Sequence, residues 1–391
     1  MGKKTIAING KNGEDYSYKK GVAEPLQLSS AFYFNSIEEA EAAFTCQSND
    51  YVYTRGRNPV LDAFEERMTL LEEGSSSIAF ASGMGAIATL LFSLLKSGDK
   101  MIAHSILYGS SYELIKKTLL DYGIEGVFIN LKDEKAVKQA LDESVKVIYF
   151  ETPCNPTLDI ISIERIRELV GENVLIVVDN TFATPFLQRP LNQGADFVVH
   201  SCTKYIGGHG DALGGVVVCK DKEQDSRIRF EYMCHFGTVM SPFNGWLFNR
   251  GLKTLGLRME AHSKTAMTIA KFLEQHKAVK KVFYPGLESF KDYELAKKQM
   301  SNFGGMVSFL INENECQAIQ LVESLDLFKL AVSLGDVESL VEHPMRMTHR
   351  GYSREERALF GIDYSLIRLS IGFEDCEDLI SDLEKGLSKV K

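Results

Sequence analysis

Short runs of β-branched and aromatic residues alternate with helical patterns through the middle of the chain. Apolar residues spaced three and four positions apart predict helices over 60–71 and 84–95. Four runs bounded by Asp, Gly or Pro are predicted strands, at 146–150, 174–178, 197–199 and 215–218. Short apolar strands that alternate with helices are typical of an α/β fold, with a mostly parallel sheet covered by helices on both faces.

The same pattern divides the chain into three predicted parts. Residues 1–55 are short of long periodic elements, and we expect an N-terminal arm that contacts a neighbouring subunit. Residues 56–250 hold the alternating pattern and form the predicted large α/β domain. A long helical stretch over about 242–276, followed by strand and helix signals, indicates a smaller α+β domain at 251–391.

Composition narrows the class of protein. The chain has 391 residues, of which 45% are hydrophobic and 25% charged, as in ordinary globular enzymes. The net charge of −9 argues against nucleic-acid and anionic-membrane partners. No apolar run reaches the ~20 residues of a membrane span, and the start lacks a signal peptide's apolar core, so a cytoplasmic location is expected. The seven cysteines and eight histidines show no metal-ligand spacing, which predicts reduced thiols and no metal.

A lysine and a carboxylate lie near the ends of two predicted strands. Asp179 ends the most apolar strand, and Lys204 follows the next strand along the chain. Because the carboxyl ends of parallel strands meet in one cleft, these side chains are expected to lie close together. Pyridoxal 5′-phosphate (PLP) needs both groups from a protein. A lysine forms the Schiff base with its aldehyde, and a carboxylate keeps its pyridine nitrogen protonated.

Candidates for phosphate binding lie in two places. Ser82, Gly83 and Met84 precede an apolar helix, where small residues and the helix N-terminus suit an anion. Ser201 and Thr203, beside the lysine, add hydroxyl donors. Taken singly, each segment also fits an ordinary surface turn.

Two further residues are candidates for contacts with the cofactor ring. Asn155, in a proline-rich turn, could donate to the ring hydroxyl, and Tyr108 could stack on the ring. Each has an ordinary structural interpretation, as a turn residue and as a core tyrosine. Asp179 could likewise be a simple turn cap.

Together the motifs resemble the PLP enzymes of cysteine and methionine metabolism, along essentially the whole chain. That family includes methionine γ-lyase, cystathionine γ-lyase, cystathionine γ-synthase and O-acetylhomoserine sulfhydrylase. The resemblance implies a fold-type-I PLP-dependent transferase. The motifs are Tyr53-Thr54-Arg55-x-x-Asn58-Pro59, Ser82-Gly83-Met84-Gly85-Ala86, Tyr108-Gly109, Glu151-Thr152-Pro153-x-Asn155-Pro156, Val178-Asp179-Asn180-Thr181-Phe182, His200-Ser201-Cys202-Thr203-Lys204-Tyr205, Arg250-Gly251-Leu252-Lys253-Thr254-Leu255, Val332-Ser333-Leu334-Gly335, Met347-Thr348-His349 and Arg368-Leu369-Ser370.

The resemblance implies roles for the matching residues. Lys204 becomes the Schiff-base lysine and proton shuttle, Asp179 the partner of the pyridine nitrogen, and Tyr108 the stacking residue that assists proton transfer. The 82–84 and 201–203 segments bind the phosphate.

The family pattern also implies substrate contacts and a shared site. Arg368 grips the substrate α-carboxylate, with Ser333 and Asn155 alongside. Tyr53 and Arg55 reach the phosphate of a neighbouring subunit, so a homo-oligomer, a dimer of dimers, is expected.

The choice of reaction within the family depends on few positions. Val332 stands where cystathionine-handling relatives commonly have a glutamate, and this favours a small γ-substituent. Ser110 departs from the cysteine usual in methionine γ-lyases, and Arg57 adds a charge near the expected inter-subunit phosphate site. We expect γ-elimination from methionine or homocysteine, which releases a thiol or sulfide, 2-oxobutanoate and ammonia. The alternatives are γ-replacement on an O-acylhomoserine, cystathionine γ-lyase activity, and a non-catalytic binding protein.

Overall fold

A computed structural model describes most of the chain and places its strands in two sheets. Part of the predicted arm, at 11–22, lies outside the described residues. The described residues are 1–10, 23–312, 314–353, 356–357 and 363–390.

The first sheet has seven strands in the order β1-β7-β6-β5-β4-β2-β3. β7 runs antiparallel to both of its neighbours, and the other pairings are parallel. The four predicted strands correspond to β4 to β7, so the prediction of a mostly parallel sheet is confirmed. The strands are β1 (Ser76–Phe80), β2 (Lys100–His104), β3 (Glu125–Ile129), β4 (Val145–Glu151), β5 (Leu175–Asp179), β6 (Phe197–Ser201) and β7 (Gly215–Cys219).

The second sheet has five strands in the order β10-β11-β12-β9-β8. The predicted boundary at 250/251 lies inside a long helix, α12, that precedes this sheet, and the three-part division stays a prediction. The strands are β8 (Val279–Phe283), β9 (Met306–Ile311), β10 (Lys329–Leu330), β11 (Leu340–Glu342) and β12 (Leu366–Ser370).

Helices flank both sheets, and the three predicted from apolar spacing are α3, α4 and α12. Leu114–Thr118 and Arg227–Met233 are π-helical, and Pro190–Gln193 is a 3₁₀ helix. The α-helices are α1 (Lys3–Asn9), α2 (Ile37–Phe44), α3 (Pro59–Glu72), α4 (Gly83–Leu94), α5 (Gly109–Glu113), α6 (Leu119–Asp121), α7 (Glu134–Ala140), α8 (Ile163–Val170), α9 (Thr184–Leu187), α10 (Glu223–Ser226), α11 (Cys234–Phe236), α12 (Pro242–Gln275), α13 (Tyr293–Gln299), α14 (Glu315–Glu323) and α15 (Cys376–Leu387).

Both faces of the first sheet are buried. Along β5, Ile176 and Val178 belong to one apolar cluster, whereas Val177 belongs to a second cluster on the opposite face. Successive side chains of a strand point to opposite faces, so a continuous apolar run requires cover on both sides. The carboxyl ends of β4, β5 and β6 meet at one edge, which carries Glu151, Asp179 and Ser201.

Neither a membrane-spanning helix nor a metal-binding cluster occurs among the described residues. No described helix is both long and apolar enough to cross a membrane. Within the same ranges, no group of three or more His, Cys, Asp or Glu side chains is arranged to hold a metal ion.

Candidate active site

A cavity of about 870 Å³ opens at the carboxyl ends of the first sheet and extends to the second. The sequence candidates line it with two exceptions, Tyr53 and Arg55. Those in the lining are Ser82, Gly83, Met84, Tyr108, Ser110, Asn155, Asp179, Ser201, Thr203, Lys204, Val332, Ser333 and Arg368.

The N-terminus of α4 forms one corner of the cavity. Ser82 caps this helix, and its Oγ accepts a hydrogen bond from the backbone N–H of Gly85 at 3.0 Å. The first helical bond runs from Ala86 N to Ser82 O, so the helix itself does not use the N–H groups of Gly83 and Met84. Free N–H groups at a helix N-terminus are suited to a phosphate group.

The second part of this corner is the turn after β6. A Cβ atom on Gly83 would lie 2.8 Å from Ser201 Cβ, so only glycine permits this close approach. The backbone N–H of Ser201 donates to Thr181 Oγ1 at 2.8 Å. Thr203 Oγ1 accepts from the Gly214 N–H at 3.1 Å, which closes the turn. Two hydroxyl side chains therefore lie opposite the helix N-terminus.

Lys204 lies between the two sheets. Its Nζ donates to Ser333 Oγ at 2.9 Å. Burial, followed by the positive charge of Arg368, lowers the pKa of Lys204 below its usual value. A lowered pKa increases the fraction of neutral amine, the form that attacks an aldehyde or accepts a proton.

Asp179 ends β5 at the inner end of the cavity. Its Oδ1 accepts from the Thr181 N–H at 3.0 Å, so the residue is the turn cap of the ordinary interpretation. Tyr149 donates to its Oδ2 at a long 3.4 Å. Burial raises the pKa of this carboxyl, and the Thr181 hydrogen bonds oppose that rise. A half-buried carboxylate with one weakly bonded oxygen is well suited to a cationic partner.

Arg368, on β12, is held by three neighbouring residues. Its Nη1 donates to Asn155 Oδ1 at 2.8 Å and lies 3.0 Å from Glu342 Oε1, while Nη2 donates to Ser333 O at 3.0 Å. Ser333 has φ of 95°, a strained conformation for a residue with a side chain. The guanidinium is buried, and its Nε has no hydrogen-bond partner within the described residues.

Glu342 is a site residue that the sequence did not reveal. It is the register partner of Arg368 across β11 and β12, and Thr348 Oγ1 donates to its Oε1 at 2.9 Å. Nothing in the local sequence distinguishes this glutamate from a surface strand residue. Only the pairing of the two strands gives it a function.

Tyr108 is not the core tyrosine of the ordinary interpretation, since it faces the cavity with 41% of its surface exposed. Its backbone N–H donates to Glu151 Oε1 at 2.6 Å. Tyr352 holds the preceding residue, because its hydroxyl accepts from Leu107 N and donates to Leu107 O. The backbone beneath the Tyr108 ring is therefore fixed from two sides.

The mouth of the cavity contains charged residues that the sequence patterns did not predict. Glu113, Lys117 and Arg350 line it, and Lys117 Nζ lies 2.5 Å from Glu113 Oε2. Val332, 55% exposed, adds an apolar side chain to the same lining. Charged residues on a helix usually face solvent, so their sequence pattern does not indicate a ligand cavity.

Tyr53 and Arg55 lie outside this cavity. The Arg55 guanidinium lies 5.4 Å from the centre of the Tyr53 ring, and that tyrosine is 47% exposed. The Arg57 side chain is paired with neighbouring residues and is not a free charge. Its Nη2 donates to Asp62 Oδ2 at 2.6 Å, and its guanidinium lies over the Tyr51 ring.

The residues of the cavity fit PLP. The cradle at Gly83 has no space for a Cβ atom, and its N–H and hydroxyl donors suit a phosphate dianion. Lys204 and Asp179 supply the amine and the carboxylate that the aldehyde and the pyridine nitrogen need.

Comparisons with known proteins agree with this fit. Residues 4–388 match the family model described as "Cys/Met metabolism PLP-dependent enzyme". An L-methionine γ-lyase of Fusobacterium nucleatum is 44% identical over 372 residues, 94% of each chain. A cystathionine β-lyase of Lactococcus lactis is 44% identical over 388 residues, 99% of each chain.

A solved structure from Campylobacter jejuni has the same fold. It is 33% identical, with a TM-score of 0.95 over 99% of this chain and 100% of the other. That structure contains an N′-pyridoxyl-lysine-5′-monophosphate, in which the cofactor is attached to a lysine.

Proposed function

Because the chain belongs to the Cys/Met metabolism PLP-dependent enzyme family, we propose that it is a carbon–sulfur lyase. It catalyses γ-elimination from methionine or homocysteine. One substrate molecule and one water give the thiol or sulfide, 2-oxobutanoate and ammonia. The observation that carries the proposal is the position of residues 332–333. Ser333 contacts both Lys204 and Arg368, and its neighbour Val332 forms an apolar wall beside them.

Several groups hold the cofactor in this proposal. The N–H groups of Gly83 and Met84, with the hydroxyls of Ser82, Ser201 and Thr203, bind the phosphate. Tyr108 would stack on the ring, Asp179 would pair with its nitrogen, and Asn155 would donate to its hydroxyl. Bound PLP withdraws electron density from the substrate Cα, which makes the Cα proton acidic.

Protein side chains then bind the substrate and move protons. Arg368 binds the α-carboxylate through its guanidinium, whose geometry Asn155 and Glu342 already fix. The Lys204 amine takes the proton from Cα, and the lowered pKa favours its neutral form. The Tyr108 hydroxyl donates a proton to the leaving sulfur. Val332 and Ser110 border the space for the γ-substituent.

The active unit in this proposal is a homo-oligomer with shared sites. Tyr53 and Arg55 are absent from the cavity of their own chain, which leaves them free to bind the phosphate in a neighbouring one. The arm that carries them exposes large apolar side chains, as expected of a surface that a second copy covers. These exposed side chains are Leu28, Tyr33, Ile37 and Phe44.

Mixed oligomers test the shared site. Arg55→Ala and Lys204→Ala subunits are each expected to have low activity, and oligomers containing both are expected to regain it. In such an oligomer one site combines Lys204 of the first subunit with Arg55 of the second. If each subunit used its own Arg55, no mixed site would be complete and no activity would return.

The mouth of the cavity supports a second candidate, cleavage of cystathionine. Lys117 and Arg350 provide positive charge, and Glu113 provides negative charge, in the lining of the same cavity as Arg368. The L. lactis relative named above bears the name of a cystathionine-cleaving enzyme. Val332 argues against this candidate, because it adds an apolar side chain to the lining and no group that binds a charged end.

Product analysis of the PLP-loaded enzyme tests the proposed reaction. With methionine, the proposal requires methanethiol, 2-oxobutanoate and ammonia in equal amounts. With O-acetylhomoserine and sulfide, a replacement enzyme would instead form homocysteine with little 2-oxobutanoate. That second result, combined with no keto acid from methionine, would contradict the proposed elimination.

A further inference from the structure

Glu151 is a buried carboxyl group at the centre of the site to which the proposed reaction gives no role. Its Oε1 accepts from the Tyr108 N–H at 2.6 Å, and the Asn155 N–H also donates to the carboxyl. Asn155 in turn binds Arg368 through Oδ1 at 2.8 Å. One side chain therefore connects the backbone under the stacking ring with the residues that bind the substrate carboxylate.

Glu151 also lies beside Asp179. The two residues end adjacent parallel strands, which lie about 4.8 Å apart, and are register partners, so their side chains point to the same face. Glu151 is buried and Asp179 is half-buried, and two adjacent, poorly solvated carboxyl groups resist carrying two negative charges. Since a pyridinium needs a charged Asp179, the arrangement leaves Glu151 as the neutral member.

We propose that Glu151 is a positioning residue that fixes Tyr108 and Asn155, and through Asn155 the substrate clamp at Arg368, and that it acts as a neutral carboxylic acid. This inference rests on the proposed function, since it assigns the clamp to a substrate carboxylate. In this proposal Glu151 does not contact the reacting atoms of the substrate or the cofactor. It holds in place the residues that do.

The surroundings of Glu151 agree with the neutral form. Burial, and then the charge of Asp179, raises the pKa of Glu151 to about 8, against the opposing effects of the Tyr108 and Asn155 N–H groups and of Arg368. Tyr149 on the same strand, Tyr352 and Cys154 also face it, and burial keeps each of these protonated by raising its pKa. Below its pKa Glu151 is uncharged, and above it the carboxyl gains a charge.

That charge would change substrate binding. An ionised Glu151 adds a negative charge near Arg368, which competes with the substrate carboxylate for the guanidinium. Ionisation also adds a second charge beside Asp179. Substrate affinity is therefore expected to fall as the pH rises through the pKa of Glu151, because the raised pKa leaves the neutral form only below it.

Two variants separate position from charge. Glu151→Gln has the shape of the neutral acid and keeps an oxygen for the Tyr108 N–H, whereas Glu151→Ala removes the acceptor. The probe is norleucine, which has a methylene where methionine has sulfur and so has no leaving group. Its dissociation constant is read from the absorbance change of bound PLP, and the PLP dissociation constant is measured alongside.

At pH 7, Glu151→Gln is expected to bind norleucine within about 3-fold of wild type. Glu151→Ala should bind it about 10-fold more weakly, or about 1.4 kcal/mol, the cost of a lost buried acceptor. Between pH 7 and 9 the ratio of wild-type to Glu151→Gln dissociation constants should rise several-fold, since only wild type has the ionising group. Taking a ratio cancels the titration of norleucine itself.

Two results would overturn the inference. One is a Glu151→Gln variant that binds norleucine as weakly as Glu151→Ala does at pH 7, which would show that the charged form of Glu151 is needed. The other is a ratio that stays constant from pH 7 to 9. If Glu151→Ala does not fold, the ratio of wild-type to Glu151→Gln dissociation constants between pH 7 and 9 still tests the inference. Binding of norleucine needs no elimination, so failure of the proposed reaction leaves this test intact. The control is Glu164→Gln, an exposed acidic residue that pairs with Lys298 outside the cavity, which should not change the pH ratio.

Discussion

The two halves of the cavity are built in different ways. The cofactor floor is defined by residues 82–84, 179 and 201–204, which end or follow strands of the first sheet, and the substrate wall by residues 332–333, 342 and 368. Some floor contacts are local, because Ser82 caps its own helix and Asp179 accepts from Thr181, while the close approach of Gly83 to Ser201 joins two separate segments. In the wall, Arg368 binds Asn155 across 213 positions of sequence.

This difference separates cofactor binding from substrate choice. Floor geometry follows from strand ends, one helix cap and the close approach of Gly83 to Ser201, and each of these segments has a short motif. Residues 332, 333 and 368 of the wall also lie in short motifs, but their contacts depend on how the second sheet packs against the first. Lys204 connects the floor with the wall, because its Nζ donates a hydrogen bond to Ser333 Oγ. We therefore expect floor substitutions to change cofactor binding, and wall substitutions to change substrate preference.

The largest effect is expected at the contact between the two halves. Lys204→Ala should lower kcat by at least about 10³-fold, since it removes both the group that attaches PLP and the proton acceptor. The visible absorbance of attached PLP should disappear as well. An unchanged absorbance spectrum would show that another amine holds the cofactor. Lys117→Ala, at the cavity mouth, is the control and should keep the spectrum.

Arg368→Lys tests the wall alone. Lysine keeps the positive charge beside the buried Glu342 but loses the two-pronged grip on a carboxylate. KM for methionine should rise about 10- to 100-fold while the PLP dissociation constant stays within about 2-fold. Arg346→Lys, at an exposed arginine paired with Glu315, is the control and should leave KM unchanged. Loss of PLP from Arg368→Lys would show that the wall also holds the cofactor.

Gly83→Ala tests the floor alone. The new Cβ would lie 2.8 Å from Ser201 Cβ and push apart the two segments that bind the phosphate. PLP should bind about 10-fold more weakly, and KM at saturating PLP should change little. Gly85→Ala provides a comparison, because its nearest contact is a side-chain oxygen at 3.2 Å. Equal losses from both substitutions would mean that the close approach at Gly83 is not what matters.

Val332→Glu should have the smallest effect on the total rate and the clearest effect on preference. A carboxylate on the exposed side of the wall disfavours a methylthio group and favours the charged distal end of cystathionine. The ratio of kcat/KM for methionine to that for cystathionine should fall about 3- to 10-fold. Val332→Thr, similar in shape and uncharged, should shift the ratio less. An unchanged ratio in Val332→Glu would remove this residue from the argument on specificity.

Sequence patterns predicted the floor well for a physical reason. Its strands β4 to β7 are apolar on both faces and end at polar residues, so each was identifiable alone. β1 to β3 were not predicted; β3 contains Glu125 and Gly126, which interrupt its apolar pattern. β3 is an edge strand and is only partly buried, so it needs fewer apolar residues than the central strands.

The wall shows the limit of sequence patterns. Glu342 gains its role from its register with Arg368, and Glu151 from its register with Asp179, and neither register is visible in a linear sequence. Arg57 is the converse case. Its sequence position suggested a charge near phosphate, but the side chain pairs with Asp62. Strand register decides the roles of the two glutamates, whereas Arg57 is decided by a contact with a residue five positions later.

The central claim is that the apolar wall at Val332 selects a small γ-substituent. The most direct measurement is kcat/KM of the PLP-loaded wild-type enzyme for methionine, homocysteine and cystathionine, each followed by release of 2-oxo acid. We predict a higher value for methionine or homocysteine than for cystathionine. A kcat/KM for cystathionine that exceeds both other values would contradict the claim. It would show that the charged residues at the mouth, and not the wall, determine substrate preference.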